Sequence, residues 1–213
     1  QSLNQRLIEL TTLYETSNEL SHSLNHIEII EKISKSINKV LNYDSWSIFL
    51  KKIFNKNELF VTVGSNFHHT TIKLLTKSAL NSIDSFFSTI INPNTIDIKI
   101  TKLNKKNSLN DKTIESHATV PLIFRDEIIG IITLESFKKN AFQKNELQFV
   151  HTLSNHIAST LGKIKIIREL EKSKIYSVIE SIIEPVIILD QKHNINIINP
   201  KAATLLNIDP NQN

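Results

Sequence analysis

The 213-residue sequence contains no cysteine. Disulfides, thiolate zinc sites, iron–sulfur clusters and a cysteine nucleophile are therefore excluded together. Glycine is nearly absent as well, with three residues standing alone at Gly64, Gly130 and Gly162. A phosphate-cradling glycine loop needs several glycines close together, so that kind of nucleotide site is excluded too. No apolar run approaches the roughly 18–20 residues of a membrane-spanning helix, and no secretory signal opens the chain. Methionine is missing, for which we have no physical account. With Gln1 at its start, the chain reads as a piece of a longer polypeptide. Arginine is scarce and basic residues do not interleave with aromatic ones. The net charge of +4 thus describes a lysine-rich solvated surface rather than a nucleic-acid interface.

What is present is a globular composition, 40% hydrophobic and 22% charged, long enough for one full domain and part of another. The stretch from Ser116 to Arg168 is the most informative. Ala118–Phe124 is a short apolar run entered through Val120-Pro121. A polar turn at Arg125-Asp126-Glu127 leads into a second run, Ile128–Leu134, and the pair reads as a β-hairpin. Pro121 suits the edge or start of a strand, and Gly130 predicts a bulge or a close backbone approach. From Asn145 the period becomes helical, through Leu147, Val150, Leu153, Ile157, Leu161 and Ile164.

Pro121-Leu, then Ile-Ile-Gly-Ile-Ile-Thr-Leu over 128–134, then Phe142, then Asn145-Glu146-Leu opening a long helix, resembles the C-terminal half of a GAF domain. The resemblance covers roughly residues 10–170. It implies an α+β sensory fold, an antiparallel central sheet of about five to six strands with helices packed on it.

The rest of the chain reads in order. Residues 1–24 place Leu3, Leu7, Leu10, Tyr14, Ser17, Ser21 and Leu24 at alternating steps of four and three, a heptad seam that turns polar at Ser17. One helix face can dock on its own domain while the other pairs with a second chain. Asn25 with Glu28 three residues later has the form of a capping box for a helix carrying Ile29, Ile30, Ile33, Ile37 and Leu41. His22 and His26 are four apart, but the cap falls between them, and both are expected at the surface. Strands are expected at 45–51 and 59–63, with Trp46, Ile48 and Leu50 on one face and Phe49 on the other. A helix follows over 71–91, ended by Asn92-Pro93-Asn94. Then come a strand at 96–100 and a loop over 102–112.

Past residue 168 the apolar pattern of the exit helix continues until Pro185 forbids it. Glu184-Pro-Val-Ile-Ile-Leu-Asp190, a polar turn, then Ile195-Asn-Ile-Ile-Asn199-Pro200 and Ala202-Ala-Thr-Leu-Leu206 resemble the opening strands and first helix of a PAS domain. The expected organisation is a signalling helix at 1–24, a GAF domain at 25–168, a linker helix at 169–184 and the start of a PAS domain at 185–213.

No catalytic constellation is visible, so the chain is not expected to be an enzyme. Ser154-Asn155-His156 invites comparison with a histidine kinase phosphoacceptor box, but Ile157-Ala158 follows instead of the expected motif, and His156 reads as a helix residue. The GAF resemblance implies a pocket near Asn66, Phe67, His68, His69, Leu75, His117 and Thr119. Phe67 is the candidate for stacking on a ligand ring, and a solvent-facing role is expected for His68 and His69. No metal ligand set is evident. Covalent bilin attachment is out, since no cysteine exists, and the cofactor is otherwise unknown. Cyclic-nucleotide-binding GAF domains carry an Asn-Lys pair followed by a Phe and an acidic pair. Phe142 and Asn145-Glu146 match the second part loosely, while Glu135-Ser136 stands where Asn-Lys belongs.

The resulting expectation is a cytoplasmic regulatory module of a sensor protein, such as a two-component histidine kinase or a diguanylate cyclase. It would bind a small ligand, or relay a conformational signal, through flanking dimer helices. Leu3, Leu7, Leu10, Tyr14, Ile164, Leu170, Ile175 and Val178 would form the homodimer seam. The alternative is a ligand-free dimerisation and spacer module whose cavity is filled by Phe67, Phe86 and Phe87.

Overall fold

The computed structural model describes residues 3–21, 25–53, 56–64, 67–87, 92–103, 113–190 and 193–207. Its contacts divide into two compact units, Gln1–Ile164 and Lys165–Asn213.

In the first unit, helices α1 (Leu3–Ser21) and α2 (His26–Val40) precede strands β1 (Ser45–Leu50) and β2 (Asn57–Gly64). Helix α3 (His69–Phe87), a 3-10 turn at Pro93–Thr95, and strands β3 (Ile96–Leu103), β4 (Ser116–Phe124) and β5 (Glu127–Ser136) follow. Helix α4 (Lys144–Ser181) begins in this unit. The strands form one sheet in the order β3-β2-β1-β5-β4.

The expectation of a wholly antiparallel sheet needs correction. β2–β1, β1–β5 and β5–β4 are antiparallel, but β3 runs parallel to β2, from Asn57 opposite Ile96 to Gly64 opposite Leu103. The connection explains it. A parallel neighbour requires a crossover of a dozen or more residues, and α3 lies in that crossover.

Both faces of the sheet are covered, which is why every residue of β1 is buried. Trp46, Ile48 and Leu50 meet Ile29, Ile33 and Ile37 of α2 and Val150, Leu153, Ile157 and Leu161 of α4. On the opposite face Phe49, Leu59, Val61 and Ile131 meet Ile72, Leu75, Ala79 and Ile83 of α3. The expected split between Phe49 and its neighbours holds. α2 starts where Asn25 accepts a hydrogen bond from the Ile27 amide at 3.0 Å, a side-chain cap for an otherwise unpaired donor. α4 starts similarly: the Gln143 amide donates to Glu146 at 2.9 Å.

His26 does not lie at the surface as expected. As the first residue of α2 it is turned onto the sheet, where its Nε2 is 3.1 Å from the buried Glu58 carboxylate. Lys99 of β3 reaches the other Glu58 oxygen at 2.8 Å. A buried carboxylate is tolerable only when paired, and Lys99 supplies the counter-charge here. His22, Leu24 and Asn66 lie outside the described residues.

Gly130 meets both expectations at once. A Cβ there would collide with the Phe49 carbonyl oxygen on β1 and approach Leu122 Cδ1 to 3.2 Å. The β4 register also shifts between Leu122 and Ile123, beside it. Gly162 plays the same part on α4, where a Cβ would overlap the Phe124 ring. Gly162→Ala would gain roughly 1 kcal/mol of helix propensity. Overpacking costs about 1–3 kcal/mol, and the ring is pinned by Arg125 at 5.4 Å. We expect a net loss of up to about 2 kcal/mol in urea denaturation, recovered by adding Phe124→Leu.

In the second unit, the remainder of α4 is followed by strands β6 (Ile187–Leu189) and β7 (Ile195–Ile198) and helix α5 (Pro200–Leu206). The strands pair as an antiparallel hairpin. Helix α4 stops at Ser181, short of Pro185 as the sequence requires.

Candidate functional site

Strand alternation brings polar residues into two files across the sheet, on the face beneath α3. Ser45 of β1, Glu135 of β5 and His117 of β4 are successive cross-strand partners. So are Ser47, Thr133 and Thr119 one step along. Beyond them the same face turns apolar at Phe49 and Ile131. Above the polar patch, α3 presents Ser78, Asn81, Ser82, Ser85 and Phe86, and with His117 and Thr119 these line a pocket of about 400 Å³. A cavity of that size suits a small organic molecule.

His117 Nε2 lies 2.8 Å from the Ser82 hydroxyl and 3.5 Å from that of Thr119. Burial pushes its pKa down, so the imidazole is neutral at physiological pH.

Glu135 lies behind this wall with 1% of its surface exposed. Burial raises its pKa from 4.5 to about 7, and the Ser78 and Ser45 hydroxyls, which favour the anion, offset that only in part. Among the described residues no basic side chain pairs with its charge. A buried carboxyl held only by hydroxyls, without a counter-charge, is costly to ionise. The strand end is held rigidly: the Asp44 amide donates to the Glu135 carbonyl at 2.9 Å. Ser136 Oγ and the Phe137 amide both donate to the Asp44 carboxylate at 2.8 Å.

The structure brings together only part of the site expected from sequence. His117 and Thr119 line the pocket. Leu75 is fully buried in the core. Phe67 is buried too, its ring edge-on to Phe137 at 5.7 Å, which commits it to packing rather than to stacking on a ligand. His68 and His69 are exposed, and His69 borders a separate groove with Lys73, Lys77 and Ile100. Glu135, Ser45, Ser78 and Ser82 were missed. A signal existed, since Ser45 and Ser47, and Thr133 and Glu135, are polar at alternate positions of otherwise apolar strands.

Among the seam residues, Leu7, Leu10 and Tyr14 are exposed, at 64%, 59% and 70%. Thr12 and Thr16 take the buried face of α1, with Thr16 Oγ1 2.6 Å from Ser36 Oγ on α2. Ile164 is buried in the core of the first unit, whereas Leu170, Ile175 and Val178 of the second unit are exposed. The Leu3 side chain lies outside the described residues. His156 is an exposed helix residue 3.4 Å from Ser17 Oγ. Among the described residues no group of His, Asp and Glu could hold a metal ion, and no helix is long and apolar enough to cross a membrane.

A mixed sheet covered by α3 on one face and by α2 and α4 on the other defines an α+β domain. The family model of the GAF domain matches residues 25–161, and the chain belongs to the GAF domain family. It is similar to the GAF domain of an Acinetobacter phosphoenolpyruvate-protein phosphotransferase at 13% identity, over 76% of this chain and 95% of that one, with a TM-score of 0.45. It is also similar to the GAF domain of a Coxiella burnetii phosphoenolpyruvate-protein phosphotransferase, at 15% identity over 79% and 98%, with a TM-score of 0.47. No curated protein sequence matches the chain.

Proposed function

We propose that the GAF domain is a sensory module that binds a small ligand in the pocket between α3 and β4 and acts in signal transduction. The observation that carries this is the buried Glu135 carboxyl, without a counter-charge among the described residues, behind a pocket of ligand size. α3 is the element a ligand would bias, because it supplies most of the pocket wall. A ligand shifts such an element only by binding two arrangements with different affinity. In this reading the chain has no catalytic role of its own. The second unit is the opening of a PAS domain, and the parent is a cytoplasmic sensor such as a histidine kinase.

The module is further proposed to act as a homodimer. Leu7, Leu10 and Tyr14 form an exposed apolar stripe at heptad spacing while α1 spends its other face on α2. A spacer module without ligand is the second reading. Phe87 packs edge-on against Phe49 at 5.8 Å and against Phe86 at 5.6 Å, filling the face beside the patch with the chain's own rings. Native mass spectrometry of the purified chain separates these readings. We expect a dimer carrying a discrete extra mass. A dimer of bare chains that also gains no mass on incubation with a cell metabolite extract would favour the spacer, and a monomer at high concentration would remove the seam.

A further inference from the structure

Granted the ligand-pocket reading, the chemistry of the lining narrows the ligand. We propose that the pocket takes a small organic cation, an ammonium, amidinium or guanidinium group carried on a compact apolar body. Among the described residues the lining contains no lysine or arginine. His117 from β4 is the titratable group of the lining, and α3 contributes hydroxyls, the Asn81 amide and the Phe86 ring; Glu135 of β5 lies behind the wall, the cross-strand partner of both His117 and Ser45.

An anion placed there would meet no counter-charge, because burial keeps His117 neutral. It would also lie near a carboxyl that ionises close to neutral pH. A cation meets the reverse. Hydroxyl and amide oxygens accept its N–H groups, Phe86 offers a ring face, and Glu135 supplies the charge. Ser78 both lines the pocket and donates to Glu135, so the carboxyl is one side chain behind the wall. An opposite charge at that range favours the ionised form. Glu135 then releases its proton to solvent as the cation binds, and the ligand's charge is neutralised without any change in the net charge of the buried site.

The test uses two probes of one shape and opposite charge, benzamidinium and benzoate, followed by amide chemical shifts of the intact chain. We expect benzamidinium to shift Ser78, Ser82, Phe86 and His117, and benzoate to leave them unmoved. Glu135→Gln, which removes the charge and keeps the shape, should weaken benzamidinium about tenfold or more. Asn81→Lys, at an exposed helix position, should do the same by repulsion and needs no buried change. Benzoate binding as well as benzamidinium would overturn the cation assignment and leave the pocket reading standing. So would benzamidinium binding that both variants leave intact. Silence of the pocket amides toward both probes would overturn the cation assignment. If native mass spectrometry also finds no ligand, the pocket reading falls with it.

Discussion

Replacing Glu135 with glutamine is expected to stabilise the protein at pH 8 by roughly 2–3 kcal/mol and to flatten its stability between pH 4.5 and pH 7. The folded pKa of about 7 lies above the ordinary 4.5, so the native state keeps this proton longer than the unfolded chain does. The stabilisation from this group is fully present below about pH 4.5, declines as pH rises to 7, and is constant beyond. Glutamine keeps the shape and accepts hydrogen bonds from Ser78 and Ser45 without ever carrying the charge. Urea midpoints of the two proteins should therefore nearly coincide at pH 5 and separate at pH 8. Parallel curves across that range would show that the carboxyl titrates normally, which requires that it be hydrated rather than buried. A cationic ligand should narrow the gap at pH 8, because it binds the wild type more tightly and stabilises it more. That gap is the cost of burying an ionisable group without a counter-charge, a common trade of stability for function.

Much of the frame was legible because it depends on local pattern. Period-2 alternation locates β1, β2 and β3, and two apolar runs around a polar turn locate β4 and β5, each to within a few residues, and Gly130 announces a close approach that the Phe49 carbonyl supplies. Pro185 marked the end of α4 and Asn25 the start of α2. What was hidden depends on pairings between distant residues. His26 looks like a surface residue until Glu58, brought beside it by the sheet, gives it a buried partner. The parallel placement of β3 is a choice of sheet edge, on which the strand's own alternation is silent. The site shows the same divide. His117 and Thr119 are reachable through the family resemblance, but Glu135 reads in the sequence only as a departure from a nucleotide motif. Its meaning comes from Ser45 and His117 flanking it across two ladders, a fact of register. Phe67 misled for the opposite reason: an aromatic beside a pocket-forming helix is as useful to a core as to a ligand, and Phe137 claimed it.

The second large effect is expected in the second unit, at Asn199, whose side chain is wholly buried. Its Oδ1 accepts from the Val186 amide and from the Ala202 amide, both at 2.9 Å. The second of these caps α5. Its Nδ2 donates to the carbonyls of Glu184 at 2.8 Å and Ile182 at 3.2 Å, with Ile179 at 3.5 Å. One amide thus ties the end of α4, the entry to β6 and the start of α5. Asn199→Ala removes about four good hydrogen bonds at roughly 1 kcal/mol each and leaves their backbone partners to find water. In a small unit with little core, a loss of about 3–4 kcal/mol is enough to release the hairpin. Amide hydrogen exchange should show protection lost at Val186, across β6–β7 and at Ala202, while β1 and β5 keep theirs. Asn199→Asp separates the two halves of the side chain. It keeps the acceptor for Val186 and Ala202 but aims a carboxylate oxygen at the Ile182 and Glu184 carbonyls just past α4, so that exit should loosen while the α5 cap persists. If protection at Val186 and Ala202 survives Asn199→Ala, the apolar contacts of Ile179, Ala202 and Ala203 hold the unit together, and the Asn199 network is ornamental to its stability.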